Sequence, residues 1–319
     1  MAERREVVVN APAKINVVLR ILGRRDDGYH DLESLVLPVS LADVVTARED
    51  DRVSVGMFHP DGRPMLLPDP DTNLAFLATE AWLDATPNGA RTPSIVVEKN
   101  IPMAAGLGGG SADAAGVLRA LNKLWDDGPS EDDLDRIGAE IGSDVPAMLH
   151  GGATVMRGRG EVVEPVEAAT TWWVLVPQPF AVHTPEAYAW WDEEGETANI
   201  ALDDAVEAVR TGDPQELARW LWNDLQGPVA RRHAQIQVVV ERLLDAGALG
   251  AVMSGSGPTV AGLAADEPDA ERIAERIPGA IPVCAPPPEV PLLRKPPEPP
   301  SGKPSEPDEA SEGSEPQSG

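Results

Sequence analysis

The run Gly106-Leu107-Gly108-Gly109-Gly110-Ser111 constrains this chain more than any other stretch. Upstream, Ile95-Val96-Val97 reads as a β-strand; downstream, Ala114, Val117, Leu118, Leu121 and Trp125 recur at helical spacing. A strand, a glycine-rich turn and a helix start in that order let backbone approach a bulky anion. Glycine removes the Cβ, and the first turn of a helix offers unpaired N–H groups at the positive end of its dipole. The loop is not the common P-loop, since no Gly-Lys-Ser/Thr follows, and it lacks the third-glycine spacing of dinucleotide-binding folds. By itself it reads either as a phosphate cradle or as a tight structural turn.

Charge decides what kind of phosphate compound such a cradle would meet. The chain carries 53 acidic and 26 basic residues and a formal net charge of −27. Tracking a nucleic-acid backbone requires clustered Lys and Arg, so nucleic acid is excluded as a general partner. A small polyanion must instead be held by local devices: helix amides, a few placed cations or a metal ion. The single cysteine, Cys284, cannot form an intrachain disulfide. No stretch approaches the roughly 20 apolar residues of a membrane span, and the start, Met1-Ala2-Glu3-Arg4-Arg5-Glu6, lacks a signal-peptide core. The expectation is a soluble, cytoplasmic protein without a membrane partner.

With 319 residues, two domains are expected. From Val7 to Leu22, alternation puts Ile15, Val17, Leu19 and Ile21 on one face of a strand and Lys14 with Asn16 on the other. Asp71-Thr72-Asn73 offers caps for a helix carrying Leu74, Leu77, Ala78 and Ala81. Ser130 with Asp133 resembles a capping box for a helix closed by Gly142, and Ser143 or Asp144 can cap the next, with Pro146 in its first turn. The run Trp172 to Val176 opens a second set of elements, with helices signalled by Thr184-Pro185-Glu186, by Asp213-Pro214 and by the spacing from Ile236 to Leu244. Strands around Ala251 and Val260 flank a second small-residue loop, Ser254-Gly255-Ser256-Gly257. The class is α+β, with helices covering mixed sheets.

Several residues have a plain structural reading beside a chemical one. Only 5 of the 26 basic residues are lysines, so Lys14 in an apolar strand hints at a site wanting a compact ammonium, though an edge-facing lysine fits too. Asp144 suffices as a helix cap, and Gly28-Tyr29-His30 as a turn leading into a strand.

In order along the chain, Pro12-Ala13-Lys14-Ile15-Asn16, then Pro102-Met103-Ala104-Ala105-Gly106-Leu107-Gly108-Gly109-Gly110-Ser111-Ala112-Asp113-Ala114-Ala115, then Ser254-Gly255-Ser256-Gly257-Pro258-Thr259 resemble the three motifs of the GHMP kinases. The resemblance runs from Val7 to about Val283. Asp26-Asp27-Gly28-Tyr29-His30 and Ile141-Gly142-Ser143-Asp144-Val145-Pro146 resemble the members that act on a cytidine-diphosphate-linked sugar alcohol in non-mevalonate isoprenoid synthesis.

The resemblance implies the two-domain α+β GHMP kinase fold, with ATP and substrate meeting in the cleft between an N-terminal domain (1–168) and a C-terminal domain (169–285). It implies Lys14 and Asp144 as the catalytic pair. ATP would be held by Pro102, Met103, Ala104, Ala105, Gly106, Leu107, Gly108, Gly109, Gly110, Ser111 and Ala112, with Asn73 and Lys99 along the nucleotide site. The cytidine substrate would meet Asn16, Tyr29, His30, Thr184, Tyr188, Ser256 and Gly257. Mg²⁺ is expected with ATP, and Ser111 is a candidate ligand that can equally serve as a helix cap. Ala104 and Ala105 stand where many relatives carry glycine, and Asp113 is assigned to structure because an acid there would repel phosphate. Rival readings are a GHMP kinase acting on homoserine, mevalonate or a sugar, and a nucleotide-binding module without catalysis. Retention of both Lys14 and Asp144 argues against the module, and aromatic residues at 29 and 188 argue for a substrate with a base to stack.

From Pro286 to Gly319 the chain is dominated by Pro, Glu, Ser and Gly, with almost no apolar residue after Leu293. Such a segment cannot bury enough surface to offset its ordering entropy, and we expect a disordered tail. Deleting residues 286–319 is therefore expected to leave turnover and melting temperature nearly unchanged; a large fall in either would contradict the expectation.

Overall fold

A computed structural model describes residues 5–67, 69–86 and 91–287. Apart from Pro286 and Pro287, the expected tail lies outside the described residues. The first half supplies β1 (Glu6–Arg24), β2 (His30–Glu49), β3 (Ser54–Phe58), α1 (Leu74–Asp84), β4 (Pro93–Glu98), α2 (Gly109–Leu124), α3 (Glu131–Ile141), α4 (Val145–His150), β5 (Thr154–Gly158) and β6 (Val162–Pro165). The second supplies β7 (Thr171–Val176), α5 (Thr184–Glu194), α6 (Leu202–Thr211), α7 (Pro214–Leu217), β8 (Trp222–Asn223), α8 (Gln226–Arg232), α9 (Gln235–Ala246), β9 (Gly250–Met253), β10 (Val260–Ala264), α10 (Glu267–Glu275) and β11 (Ile281–Ala285). No helix among the described residues is long and apolar enough to cross a membrane.

Two sheets result. One runs β3-β4-β2-β1-β8, with β5 joined to β2 and β6 to β5; the other runs β11-β7-β10-β9 and is antiparallel throughout. The class is the expected α+β. The parallel pair β1–β8 carries the second half of the chain into the first sheet, Val18 opposite Trp222 and Leu19 opposite Asn223. The cores interleave as well: Trp173, Leu175, Leu217 and Leu263 pack into the core of the first half, while Leu19 and Ile21 join that of the second.

The register of β1 departs from simple alternation. Ile15 opposes Leu37 and Asn16 opposes Val36, but Val18 opposes Leu35 and Leu19 opposes Ser34, so Val17 is an extra residue in a bulge. One inserted residue flips every side chain beyond it. Leu19 and Ile21 therefore share the face of Lys14 and Asn16, and not that of Ile15 as alternation predicts. Two of the expected helix caps form: Asn73 accepts from the amides of Ala75 and Phe76, and Ser130 accepts from that of Asp133. In α1 the buried stripe is Ala75, Ala78, Thr79 and Trp82, which leaves Leu74 at the edge of the core.

Helix α2 is buried nearly all round because it lies between β1 and β2 on one side and α1, α3 and α4 on the other. Its small residues permit this. A Cβ at Gly116 would stand 2.8 Å from Val45 Cγ2 and 3.1 Å from Ala11 Cβ. The sheet thus fixes the position of the α2 N-terminus.

Where the halves meet, backbone lies against backbone. Gly106 has φ +76°, and a Cβ there would strike the Ser254 carbonyl and come within 2.7 Å of the Gly257 carbonyl oxygen. Ser254 Oγ donates to the Gly106 carbonyl at 3.0 Å, and Thr259 N donates to that of Ala105 at 3.2 Å. Gly106→Ala is expected to destabilise the fold by about 2–4 kcal/mol, because it combines a left-handed alanine with overpacking against rigid backbone. Thermal unfolding measures this, and a stability unchanged within about 0.5 kcal/mol would contradict the packing described.

Candidate active site

Lys14 owes its position to three contacts around the middle of β1. Its amide donates to the Leu107 carbonyl at 3.0 Å, its ammonium donates to Asn16 Oδ1 at 2.7 Å, and Asp144 Oδ2 lies 3.5 Å from Nζ. Asn16 Nδ2 passes the chain on to Ser34 Oγ at 2.8 Å, and Ser34 donates to the Val18 carbonyl at 2.6 Å. Lys14 is only 6% exposed, and this row places its buried ammonium between an amide oxygen and a carboxylate. Asp144 sits at the N-cap position of α4 but makes no side-chain capping bond, so its carboxylate is turned to Lys14 instead.

The glycine-rich segment forms the opposite wall. Gly108, at φ +69°, is the N-cap of α2 and has no side chain to occupy the first amides of the helix. A Cβ on Gly108 would stand 3.1 Å from Lys14 Cγ, which ties loop and lysine to one geometry. Ala104 takes φ +52° without being a glycine.

A cleft of about 760 Å³ joins these groups to the second half of the chain. It is lined by Lys14, Asn16, Asp144, Ala104, Ala105, Gly106, Gly108, Gly109, Gly110 and Ser111 together with Tyr29, His30, Thr184, Tyr188 and Ser256. The sequence had singled out all fifteen. His30 Nε2 lies 2.7 Å from Asp192 Oδ1, which assigns the proton to Nε2 and leaves Nδ1 as an acceptor in the neutral ring. Tyr188 lies against the His30 ring at 4.8 Å between centroids, with Trp191 edge-on at 5.8 Å. Burial, aided by the charge of Asp144, pushes the Tyr188 hydroxyl above its usual range, so it stays a neutral phenol. Thr184 Oγ1 and Ser256 Oγ, 3.1 Å apart, tie the start of α5 to the second small-residue loop.

Other expected contacts lie off the cleft wall. Leu107 and Ala112 are core residues, Met103 is 64% exposed on the surface, and Pro102 and Gly257 do not line the cavity. Asn73 spends its side chain on capping α1. Lys99 requires a correction: expected along the nucleotide site, it is buried under the loop, paired with Asp43 and, at 2.6 Å, with Asp113. Asp43 also accepts from the amides of Asn100 and Ile101 at 2.6 and 2.8 Å, so the cluster joins β2, the end of β4 and α2. Asp113 is structural, as expected.

Four cleft residues escaped the sequence reading, Asp192, Arg24, Arg159 and His183, while Ser143 and Leu74 were expected only as a helix cap and a helix face. Asp192 had a usable signal, since Thr184, Tyr188 and Asp192 fall at i, i+4 and i+8 on one stripe of α5. Arg24 is 3.5 Å from Asp192. Asn223 carried none; its Nδ2 donates at 2.7 Å to the carbonyls of Met253 and Gly255 and so holds the second loop in place.

The sequence patterns described as GHMP kinases N terminal domain and GHMP kinases C terminal match residues 73–152 and 205–282. A 4-diphosphocytidyl-2-C-methyl-D-erythritol kinase of Mycolicibacterium smegmatis is 40% identical over 283 residues, 86% of each chain. One of Gloeobacter violaceus is 39% identical over 84% of this chain and 88% of its own. A crystal structure of 4-(cytidine 5'-diphospho)-2C-methyl-D-erythritol kinase superposes with a TM-score of 0.73 at 34% identity, covering 88% of this chain and 99% of the other. A homoserine kinase of Cytophaga hutchinsonii, at 20% identity and a TM-score of 0.65 over 89% and 96% of the two chains, shares the fold.

The cluster beneath the loop has a measurable consequence. Burial raises the Asp113 carboxyl well above its ordinary 3.8 despite Lys99 beside it, and its buried Oδ1 has no hydrogen-bond partner among the described residues. Burial alone would lower the Lys99 ammonium, but Asp113 and Asp43 together outweigh it and raise it. A raised carboxyl means that the folded protein holds a proton the unfolded chain releases. That stability is complete below about 3.8 and is lost as pH rises through the folded value. Asp113→Asn cannot titrate, so its stability relative to the wild type is expected to improve as pH rises from the acid range. Melting curves across pH test this, and a pH-independent gap between the two proteins would remove the proton from Asp113.

Proposed function

The chain belongs to the GHMP kinase family, and from that premise we propose that it transfers the γ-phosphoryl group of ATP to a hydroxyl of 4-diphosphocytidyl-2-C-methyl-D-erythritol, a step of non-mevalonate isoprenoid synthesis. One observation carries the reading: a single cleft is lined by the Lys14–Asp144 pair, by the uncapped start of α2 and by the adjoining rings of His30 and Tyr188, 4.8 Å apart and tilted by 32°. A small acyclic substrate such as homoserine or mevalonate would leave the aromatic groups without a partner, whereas a cytosine can stack on them and meet a hydrogen-bonding edge. Residues 1–168 and 169–285 are the two domains on this reading, and the cytoplasm, with its reduced thiols and ATP, is its location.

Phosphoryl transfer asks little covalent chemistry of the protein; it asks for alignment and charge stabilisation. The first amides of α2 and the turn Gly106 to Ser111 hold the ATP phosphates. Asn16, Thr184 and Ser256 orient the sugar alcohol, and Tyr29, His30 and Tyr188 hold the cytosine. Asp144 takes the proton of the attacking hydroxyl as its oxygen bonds to the γ-phosphorus and the bridging bond to ADP breaks. The Lys14 ammonium offsets charge on the transferring group, and Asn16 and Ser34 keep it in place. The donor set suits Mg²⁺, which takes few protein oxygens beside phosphate and water, and the Ser111 hydroxyl would hold it. When bound, the ion neutralises charge on the β- and γ-phosphates.

The test is ATP turnover dependent on the cytidine-linked alcohol and absent with mevalonate or homoserine; the reverse preference would sink the assignment. Asp144→Asn preserves size and removes the proton acceptor, so kcat is expected to fall about 100-fold or more with both ligands still bound. Near-normal kcat would exclude Asp144 as an essential base, and loss of ATP binding alone would reassign it to the metal.

A further inference from the structure

Three cations line the cleft: Lys14, Arg24 and Arg159. Two are committed, Lys14 to Asn16 and Asp144 and Arg24 to Asp192. Arg159 is different. Among the described residues its guanidinium makes no hydrogen bond, and its nearest carboxylate, Glu161, lies 3.9 Å from Nε. It is nevertheless held, because its guanidinium carbon stands 4.9 Å from the centroid of the Tyr29 ring. A guanidinium resting on an aromatic face has its plane fixed and its terminal N–H groups free for another ligand.

The turn that presents Arg159 is built for close approach. Gly158 and Gly160 flank it at φ +70° and +116°, and Arg159 N donates to Glu161 Oε2 at 2.6 Å, which closes the β5–β6 connection. A Cβ on Gly160 would stand 3.2 Å from Ser143 Cβ and 3.3 Å from the Ser143 carbonyl oxygen. The same short turn thus touches Tyr29, where the base is proposed to stack, and the residue before Asp144, where the hydroxyl is proposed to react.

We infer that Arg159 is a substrate-binding residue that holds the diphosphate joining the nucleoside to the sugar alcohol, and so makes the site prefer a nucleoside diphosphate over the nucleoside alone. This rests on the proposed function, since it uses the covalent order of that substrate: base, diphosphate, reacting alcohol. The group between the ends must pass the turn that touches both. A planar fork matches two phosphate oxygens at once, and in a chain of net charge −27 the diphosphate needs such a local cation. The sequence gives no cue, because Arg159 is one of 21 arginines and its neighbours read as an ordinary turn.

The experiment compares wild type, Arg159→Gln and Arg159→Lys as full-length proteins. In steady-state kinetics Arg159→Gln is expected to raise KM for the cytidine-linked substrate about 10- to 100-fold, with kcat and the ATP KM within about twofold. In titrations with CDP, CMP and cytidine, wild type is expected to bind CDP well above cytidine. Arg159→Gln should lose that preference while still binding cytidine, and Arg159→Lys should recover part of it. An undiminished preference for CDP in Arg159→Gln overturns the inference, and so does an equal loss for CDP and cytidine, which would make Arg159 a support for Tyr29 only. Wild type that fails to phosphorylate the cytidine-linked alcohol takes down the functional reading and this inference with it; wild-type turnover with an unaltered variant takes down the inference alone.

Discussion

Close approach of bare backbone is the constraint on which the rest of the cleft depends. Gly106 lies so near the carbonyls of Ser254 and Gly257 that no side chain fits between them, and hydrogen bonds from Ser254 and Thr259 lock the two loops together. Lys14 N reaches the carbonyl of Leu107 from the other side, and Asn223 fixes the second loop through two carbonyls. Three segments far apart in sequence therefore meet as polar main chain with its hydrogen bonds satisfied. The groups proposed to react hang from this junction, so their spacing follows from the packing of the two sheets.

Electrostatics is arranged in layers around the same junction. The molecule is strongly acidic, yet the cleft presents Lys14, the start of α2 and Arg159 toward the space where anions are proposed to bind. Beneath the loop, two carboxylates and Lys99 are packed out of water, and burial raises the Asp113 carboxyl above its ordinary value, which disfavours a second full negative charge there. A full negative charge at that depth would act against phosphate at the helix start, where the dipole works in its favour. The cluster anchors α2 to β2 and to the end of β4 without spoiling the potential above it.

Orientation of the aromatic end is handled by similar indirect means. Asp192 selects the His30 tautomer, Trp191 and Tyr188 fix the plane of the ring, and the Thr184–Ser256 contact ties α5 to the loop that also borders Lys14. The recognition proposed on α5 and the chemistry proposed on β1 and at the start of α4 are thereby tied together through a few short contacts.

The sequence by itself determined the chemistry on offer. Glycines before a helix, a lysine in an apolar strand and an aspartate ahead of Pro146 are local patterns, and local patterns survive in one dimension, while Thr184 and Tyr188 came from the family resemblance. Fold class and the caps at Asn73 and Ser130 were legible from such local patterns. What only the tertiary structure decided are relations between distant segments and events that break periodicity. The bulge at Val17 turned Leu19 and Ile21 onto the face of Lys14, burial between Asp43 and Asp113 withdrew Lys99 from the cleft, and β8 crossed into the first sheet. Arg159 became a cleft residue only because a turn between two glycines laid it on Tyr29. Each outcome depends on which surfaces exclude water from one another, and that is settled when the chain packs, not by the spacing of its residues.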